Sequence, residues 1–332
     1  MRTRRYVPYE QTVSTANIVV DGSPNAATVL TLSHWPGQPV APEHRADLSA
    51  QMAFRFLDDP TADEVDADVV TNNHFDQDGL VGLFALCSPD EALARRELLE
   101  DVAAAGDFGT YRDRRAARAS MIIDALADPA RSPLVDLPAD ETQRCARLYR
   151  EGLELLVEIV ERPEGREDLW VDEDRALTAS EAAIRAGDVT IDEDLDLDLA
   201  VVTVPEGLRD LGGHRFVGYR FEHLHPMALH NATDRTAVLV VHGAGFRFTY
   251  RYETWVQFSS RAVRPRVALE PLAERLTDRE PGDVEWVADP VGRLSPSMAP
   301  RGGVSGLARG EVADELRRHL ATAPVAWDPF PE

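Results

Sequence analysis

His74, Asp76 and Asp78 stand on alternate positions ahead of Gly79, directly behind the apolar run from Ala67 to Thr71. Imidazole nitrogens and carboxylate oxygens are the donors that suit Mn²⁺, Mg²⁺ or Zn²⁺. A strand that runs into a polar turn is where open α/β sheets gather their ligands. These three residues are therefore the candidate catalytic and metal-binding set, with Gly79 expected to swing the backbone into the next segment. A plainer account is a polar turn with a helix cap, since Asp favours both places. An EF-hand loop also contains Asp-x-Asp-Gly, but it needs further oxygen ligands and a late bidentate Glu. Here Leu80 to Leu86 is apolar.

Two earlier residues share the same setting. Asn17 to Asp21 reads as a first strand ending at Asp21 and the turn Gly22-Ser23-Pro24-Asn25, and Ala26 to Trp35, helix or strand, carries His34 near its end. Parallel neighbouring strands would bring Asp21 and His34 beside His74, Asp76 and Asp78. That grouping would complete a two-metal centre with ions about 3.5–4 Å apart. His34 stacked on Trp35 in a Pro-Gly turn is the competing account. Asp107, in Gly106-Asp107-Phe108-Gly109, offers another carboxylate, although a helix C-terminal turn explains it more simply.

The stretch His74-x-Asp76-x-Asp78-Gly79 behind a strand resembles the first motif of the DHH phosphoesterase superfamily. The resemblance implies a pair of Mn²⁺ or Mg²⁺ ions that hydrolyse phosphoric anhydrides or phosphodiesters. It also implies a parallel-sheet α/β N-terminal domain with a smaller α/β domain across a cleft. No Asp-His-His triplet occurs in the chain, and the motif lies further from the N-terminus than is usual in that superfamily. The chain also looks like a member of an uncharacterised actinobacterial family, a likeness that carries no functional information.

The function classes that composition excludes are consistent with this reading. The 332 residues, 44% hydrophobic, suffice for two domains with ordinary cores. No apolar run approaches a membrane span, and Met1 to Arg5 is not followed by a signal-peptide core. Cys87 and Cys145 read as small buried hydrophobes, so no disulfide framework is expected. A cytoplasmic soluble protein with no membrane partner follows as the expectation. All 35 basic residues are arginine, which removes a Walker-A lysine, a Schiff-base lysine and a Ser–Lys dyad. A net charge of −23 repels a phosphate backbone, so duplex nucleic acid is not an expected partner.

The expected fold is α/β, with domains over residues 1–190 and 191–332. Helices are expected over Leu48 to Leu57 with Asp47 as N-cap, from Ser88-Pro89 to about Ala104, over Arg114 to Ala127, and from Asp140 to Arg162 with Asp140 and Gln143 forming the cap. Leu195, Leu197 and Leu199 alternate with Asp194, Asp196 and Asp198 as in a half-buried strand with a solvated acidic face. The alternation from Phe246 to Phe258 reads as one long strand, followed by a helix from Pro271 to Leu276. Arg247, Arg251, Arg261, Arg264 and Arg266 form a positive region opposed in that window by Glu253 alone. Guanidinium forks bind phosphate bidentately, so Arg251, Arg261 and Arg264 are the candidate contacts for a small phosphorylated ligand. His225, grouped with His223, His230 and His242, is a candidate substrate contact. The glycine-rich loop from Arg301 to Gly306 offers backbone N–H groups to an anion. The competing functional classes are a non-catalytic nucleotide- or metabolite-binding protein that has lost part of the metal site, and a metal-dependent hydrolase of non-phosphate substrates.

Overall fold

A computed structural model describes residues 2–208 and 223–330 and shows a mixed α/β protein. The chain divides into two units, Met1–Asp174 with Phe258–Ser260, and Arg175–Gln257 with Arg261–Glu332. The division falls inside a helix at Asp174, ahead of the expected boundary at residue 190. No helix among the described residues is long and apolar enough to cross a membrane.

The first unit contains β1 (Arg5–Tyr6), β2 (Asn17–Val20), β3 (Thr28–Leu32), α1 (Ser49–Asp58), β4 (Val69–Thr71), α2 (Gln77–Cys87), α3 (Pro89–Leu93), α4 (Arg96–Asp107), α5 (Arg114–Ala127), α6 (Glu141–Glu161) and the start of α7 (Val171–Ala186). Its sheet has the order β1-β4-β2-β3, and every pairing is parallel. From β2 the chain passes to β3 on one side and then to β4 on the other. The carboxyl end of β2 is thus a topological switch point, the place in such sheets where loops diverge and leave a crevice. The ambiguous segment from Ala26 to Trp35 is β3, and all four residues of β2 are buried, as a parallel strand requires.

Helix α2 occupies the middle of this unit. Every residue from Gln77 to Leu86 is buried, so the helix has no polar face and is enclosed by α1, α4 and α6. Its first turn, which carries Asp76 and Asp78, is held deep in the protein by that packing. Gly79 lies inside this helix and is not the hinge expected from sequence. A Cβ there would meet Asn72 Nδ2 and the Tyr149 hydroxyl, so its lack of a side chain permits close packing. Gly106 does the same near the end of α4, where a Cβ would collide with Gln77 Cβ and push Asp107 away from α2.

The second unit contains β5 (Thr190–Asp194), β6 (Leu199–Val204), α8 (Pro226–Ala232), β7 (Ala237–His242), β8 (Gly245–Tyr250), β9 (Arg266–Val267), α9 (Glu270–Arg279), β10 (Trp286–Ala288), β11 (Ser297–Pro300), α10 (Arg309–Thr322) and β12 (Val325–Trp327). Its mixed sheet has the order β10-β11-β8-β7-β6-β5, with only β6 and β7 parallel; β9 and β12 pair separately. One face of the larger sheet, with Leu239, Val241, Phe246, Phe248 and Met298, forms a core with Leu272, Leu276, Val312 and Leu316 of α9 and α10.

Two readings of this half are corrected. The Asp/Leu alternation is a hairpin: β5 stops at Asp194, whose Oδ1 accepts from the Leu197 N–H at 3.1 Å, and Asp198 turns the chain with φ of 51°. Local side-chain bonding and left-handed backbone are what Asp supplies in a turn, and here they override the alternation. The long strand ends at Tyr250, because a 3₁₀ turn runs from Tyr252 to Thr254, and Arg251 pairs in the interior at 2.5 Å with Glu253 inside that turn.

Packing at Gly106 gives a direct test of how α4 is placed. Gly106→Ala is expected to destabilise the protein by about 1–3 kcal/mol through overpacking. Thermal unfolding monitored by circular dichroism should show a lowered Tm. An unchanged Tm would mean that α2 and α4 have room to spare.

Candidate metal centre

Three strand ends meet at the switch point. Asp21 follows β2, His34 lies just beyond β3, and β4 leads into the turn bearing His74 and Asp76 and then to Asp78 in the first turn of α2. Asp107, the last residue of α4, completes the group. Asp21, His34, Asp78 and Asp107 bring one ligand atom each within 4.8 Å of one another, all four residues being buried. Asp21, His74 and Asp76 form a second such group on the half-buried side.

Asp21 belongs to both groups, and its two oxygens divide between them. Its Oδ1 accepts from the Ser49 hydroxyl at 2.9 Å and stands 3.5 Å from His34 Nε2. Its Oδ2 stands 3.2 Å from His74 Nε2, and no hydrogen bond of good geometry satisfies it. The backbone at Asp21 adopts a left-handed φ of 54°. Asp tolerates that region better than most residues, and the conformation is stored where the carboxylate is needed.

His34 is oriented from behind. Its Nδ1 lies 2.5 Å from the Asp47 carbonyl oxygen. A carbonyl only accepts, so Nδ1 carries the proton and Nε2 of the neutral ring presents its lone pair to the centre. That nitrogen faces Asp107 Oδ2 at 3.4 Å, Asp21 Oδ1 at 3.5 Å and Asp78 Oδ2 at 3.9 Å. Burial holds its pKa below the ordinary imidazole value, although the Asp21 carboxylate pulls the other way. A lone pair aimed at three acidic oxygens is repulsive unless a cation or proton stands among them. Metal–ligand bonds of about 2.0–2.2 Å put neighbouring donors roughly 3–3.6 Å apart, close to the spacings seen here.

Asp78 does two jobs. Its oxygens accept from the Ser49 and Ala50 N–H groups at 2.7 and 2.8 Å, so it closes the N-terminus of α1 while sitting in the first turn of α2. Both helix dipoles favour an anion there. Burial nevertheless lifts its pKa well above the carboxylate range, with the Asp21 charge adding to the effect. Burial and then Asp76 raise Asp21 also, against a smaller opposing contribution from His74.

The half-buried group is built differently. Asp76 caps α2 by accepting from the Gly79 N–H at 2.9 Å, and its other oxygen meets His74 Nε2 at 2.8 Å. Asp76 is therefore a helix cap whose second oxygen also lies in the group of possible ligand atoms. Burial resists charge on His74, but Asp76 and Asp21 outweigh it and hold its pKa well above normal; Asp76 is lowered because His74 outweighs its own burial. Tyr149 of α6 braces the turn by donating to the His74 carbonyl at 2.7 Å and accepting from Asn72 Nδ2 at 2.8 Å. Trp35 packs on His74 with ring centres 5.1 Å apart, so the aromatic contact considered for His34 belongs to the other histidine.

A family model matches residues 2–329. The chain belongs to DUF6687, a family of unknown function. No curated protein and no solved structure matches it. Membership therefore assigns no chemistry, and the residues must supply it.

The structure brings Asp21, His34, His74, Asp76 and Asp78 together and adds Asp107, which sequence reasoning ranked below a simple helix end. Its signal was an acid between glycines at the close of an amphipathic segment. Ser49, Asn72 and Tyr149 carried no such signal. The candidates in the second half have internal work. Arg251 is buried on Glu253 and the Thr233 carbonyl, Arg261 bonds the Asp234 carbonyl and lies 3.7 Å from Asp198, and Arg264 donates to the Asp196 and Leu320 carbonyls. His225 caps α8, its Nδ1 accepting from the Met227 N–H at 3.2 Å. Their engagement holds the second unit together, and we assign no ligand contact to these four.

Beneath the centre, Gln77 reaches the Ser120 carbonyl and hydroxyl of α5, and Asp124 lies one turn further on. Burial, with Glu173 adding, lifts Asp124 to about 7, against a hydrogen bond from Gln77. A carboxylate whose folded pKa is raised contributes stability below its unfolded pKa, and that contribution is lost as pH rises through the folded value. Asp124→Asn should therefore flatten the decline in stability between about pH 4 and 7. Thermal melts are expected to show a gain in Tm at pH 8 and none at pH 4. A loss at pH 8 would mean that Asp124 is ionised and well solvated in the folded state.

Proposed function

We propose that the first unit is a two-cation phosphohydrolase or phosphoesterase for a small phosphorylated molecule or nucleotide, with Mn²⁺ or Mg²⁺ as cofactor. The observation that carries this reading is Asp21, whose two oxygens each face a separate group of ligand atoms. A carboxylate so placed suits a bridge between two ions. His34, Asp78 and Asp107 would hold one ion and His74 with Asp76 the other. The unsatisfied Oδ2 of Asp21 and the inward lone pair of His34 fit that assignment.

Two bound divalent cations supply a water activated at neutral pH and charge stabilisation at the attacking and leaving oxygens. The residues supply the rest. His74 and Asp76, each with about a third of its side chain exposed, form the side that substrate reaches. The four-residue buried group excludes water from the other side. The hydrogen bonds of Tyr149, Ser49 and Asp47 fix the donors before substrate arrives, so little reorganisation is needed. The resemblance of His74-x-Asp76-x-Asp78-Gly79 to the DHH motif agrees with this chemistry.

One observation favours a second reading. The arginines expected to hold phosphate in the second unit are committed to internal partners. A metal-dependent hydrolase of non-phosphate substrates would have no need of them.

Calorimetry with Mn²⁺ is expected to give two ions per chain. Asp21→Asn should weaken both at least tenfold, Asp107→Asn one and Asp76→Asn the other. Asp78→Asn should also lower the Tm of the metal-free protein, because an amide has one acceptor oxygen for two N–H groups. Mn²⁺ binding that ignores Asp21→Asn would refute the shared centre. Phosphate release from nucleotides, dinucleotides and pyrophosphate should require Mn²⁺ and fall at least a hundredfold in Asp21→Asn. Two bound ions with no release from any of these would move the assignment to the non-phosphate hydrolase.

A further inference from the structure

The second face of the large sheet in the second unit carries a cavity of about 620 Å³. Strand alternation sends Leu239, Val241, Phe246 and Phe248 to the core and turns Val240, His242 and Arg247 the other way. Val240 and Arg247 are direct cross-strand partners, and Val287 and Ala299 are paired beyond them. These side chains, with Val304 from the loop after β11, line the cavity.

Its polar groups point to a ligand. Arg247 is half-buried, and among the described residues it makes no hydrogen bond or ion pair, in a chain with 58 acidic residues. Asp289, the acid on the same wall, is already engaged: it accepts from the Ser297 N–H and hydroxyl at 3.0 and 2.9 Å and pairs with Arg293 at 2.7 Å. His242 stacks on His223 with ring centres 3.7 Å apart, and its buried Nε2 has no hydrogen-bond partner among the described residues. A half-buried guanidinium left unpaired gives up solvation without compensation. A protein so rich in carboxylates could have neutralised it with one neighbouring acid.

We propose that this cavity is a binding site for a small organic anion, whose oxyanion is held by the Arg247 fork and by His242 while an apolar body lies on Val240, Val287, Ala299 and Val304. Carboxylate and phosphate share the planar, bidentate pairing that a guanidinium offers. The walls are of mixed character, apolar at Val240, Val287, Ala299 and Val304 and polar at Arg247, His242 and Asp289, and small-molecule sites combine apolar surface with placed polar groups in this way. The site lies wholly within the second unit and does not depend on the metal reading.

The test uses the full chain in chelator, so that no cation at the carboxylate centre can bridge an anion. Calorimetric titration with phenyl phosphate and with benzoate is expected to show saturable binding of at least one of them, one per chain, and none of benzamide, the neutral analogue. Arg247→Gln should weaken binding at least tenfold with an unchanged Tm, since no partner is lost. Arg247→Lys, which keeps the charge without the fork, should fall between. His242→Gln should weaken binding several-fold. Absence of saturable binding by both anions, equal binding of benzamide, or binding by Arg247→Gln as tight as that of the wild type would overturn the proposal. Binding of one anion in preference to the other names the ligand's oxyanion.

Discussion

Mutual repulsion among Asp21, Asp76, Asp78 and Asp107 is the constraint on which the first unit depends. Carboxylates brought this close in the interior cannot all ionise without compensation. Burial first, and then a neighbouring carboxylate, Asp76 for Asp21 and Asp21 for Asp78, raise the pKa values of Asp21 and Asp78. Part of the compensation is structural. Asp78 receives N–H groups from the start of α1, Asp76 caps α2, and Asp21 takes a hydroxyl from Ser49. Each bond offsets some of the desolvation of a charge, and none cancels it. His34, kept neutral by burial and oriented by the bond of its Nδ1 to the Asp47 carbonyl, adds a further lone pair to an already electron-rich centre. A divalent cation on each side of Asp21 would relieve all of these at once.

The packing follows from the same constraint. For Asp78 to reach the N-terminus of α1, the apolar helix α2 must begin in the interior, which calls for a helix without a polar face. For Asp107 to reach His34, α4 must end against α2, which calls for glycine at position 106. The parallel order β1-β4-β2-β3 then places the ends of β2, β3 and β4 on one side of the sheet. Position in the sheet, more than proximity in sequence, brings Asp21 to His74.

The parts of the site carried by one strand and its turn were legible in the sequence. Alternate ligands behind an apolar run are a local pattern, and Asp21 and His34 could be joined to it by assuming parallel neighbours. Asp107 was less visible because it arrives from the end of a helix, where an acid has ordinary explanations. Tyr149 falls among the apolar positions of α6, and its hydroxyl bond to the distant His74 carbonyl leaves no local trace in the sequence. The arginines have internal partners that the sequence does not show. In sequence they form an unopposed positive window, yet Asp198 and the carbonyls of Asp196 and Leu320 reach them across the fold. The helix start at Asp140 was readable from its side-chain cap, whereas Asp47 does not cap α1, whose N-cap is Leu48 with no side-chain cap bond. Alternation was not a safe guide where aspartates form a turn between Asp194 and Asp198, or where Arg251 and Glu253 pair in the interior.

The central claim is that Asp21 joins two cation sites. Anomalous diffraction from crystals grown with Mn²⁺ tests it most directly. Two peaks about 3.5–4 Å apart are expected, one bounded by His34, Asp78 and Asp107, the other by His74 and Asp76, with an Asp21 oxygen on each. A single peak, or peaks that leave Asp21 uncoordinated, would contradict the account.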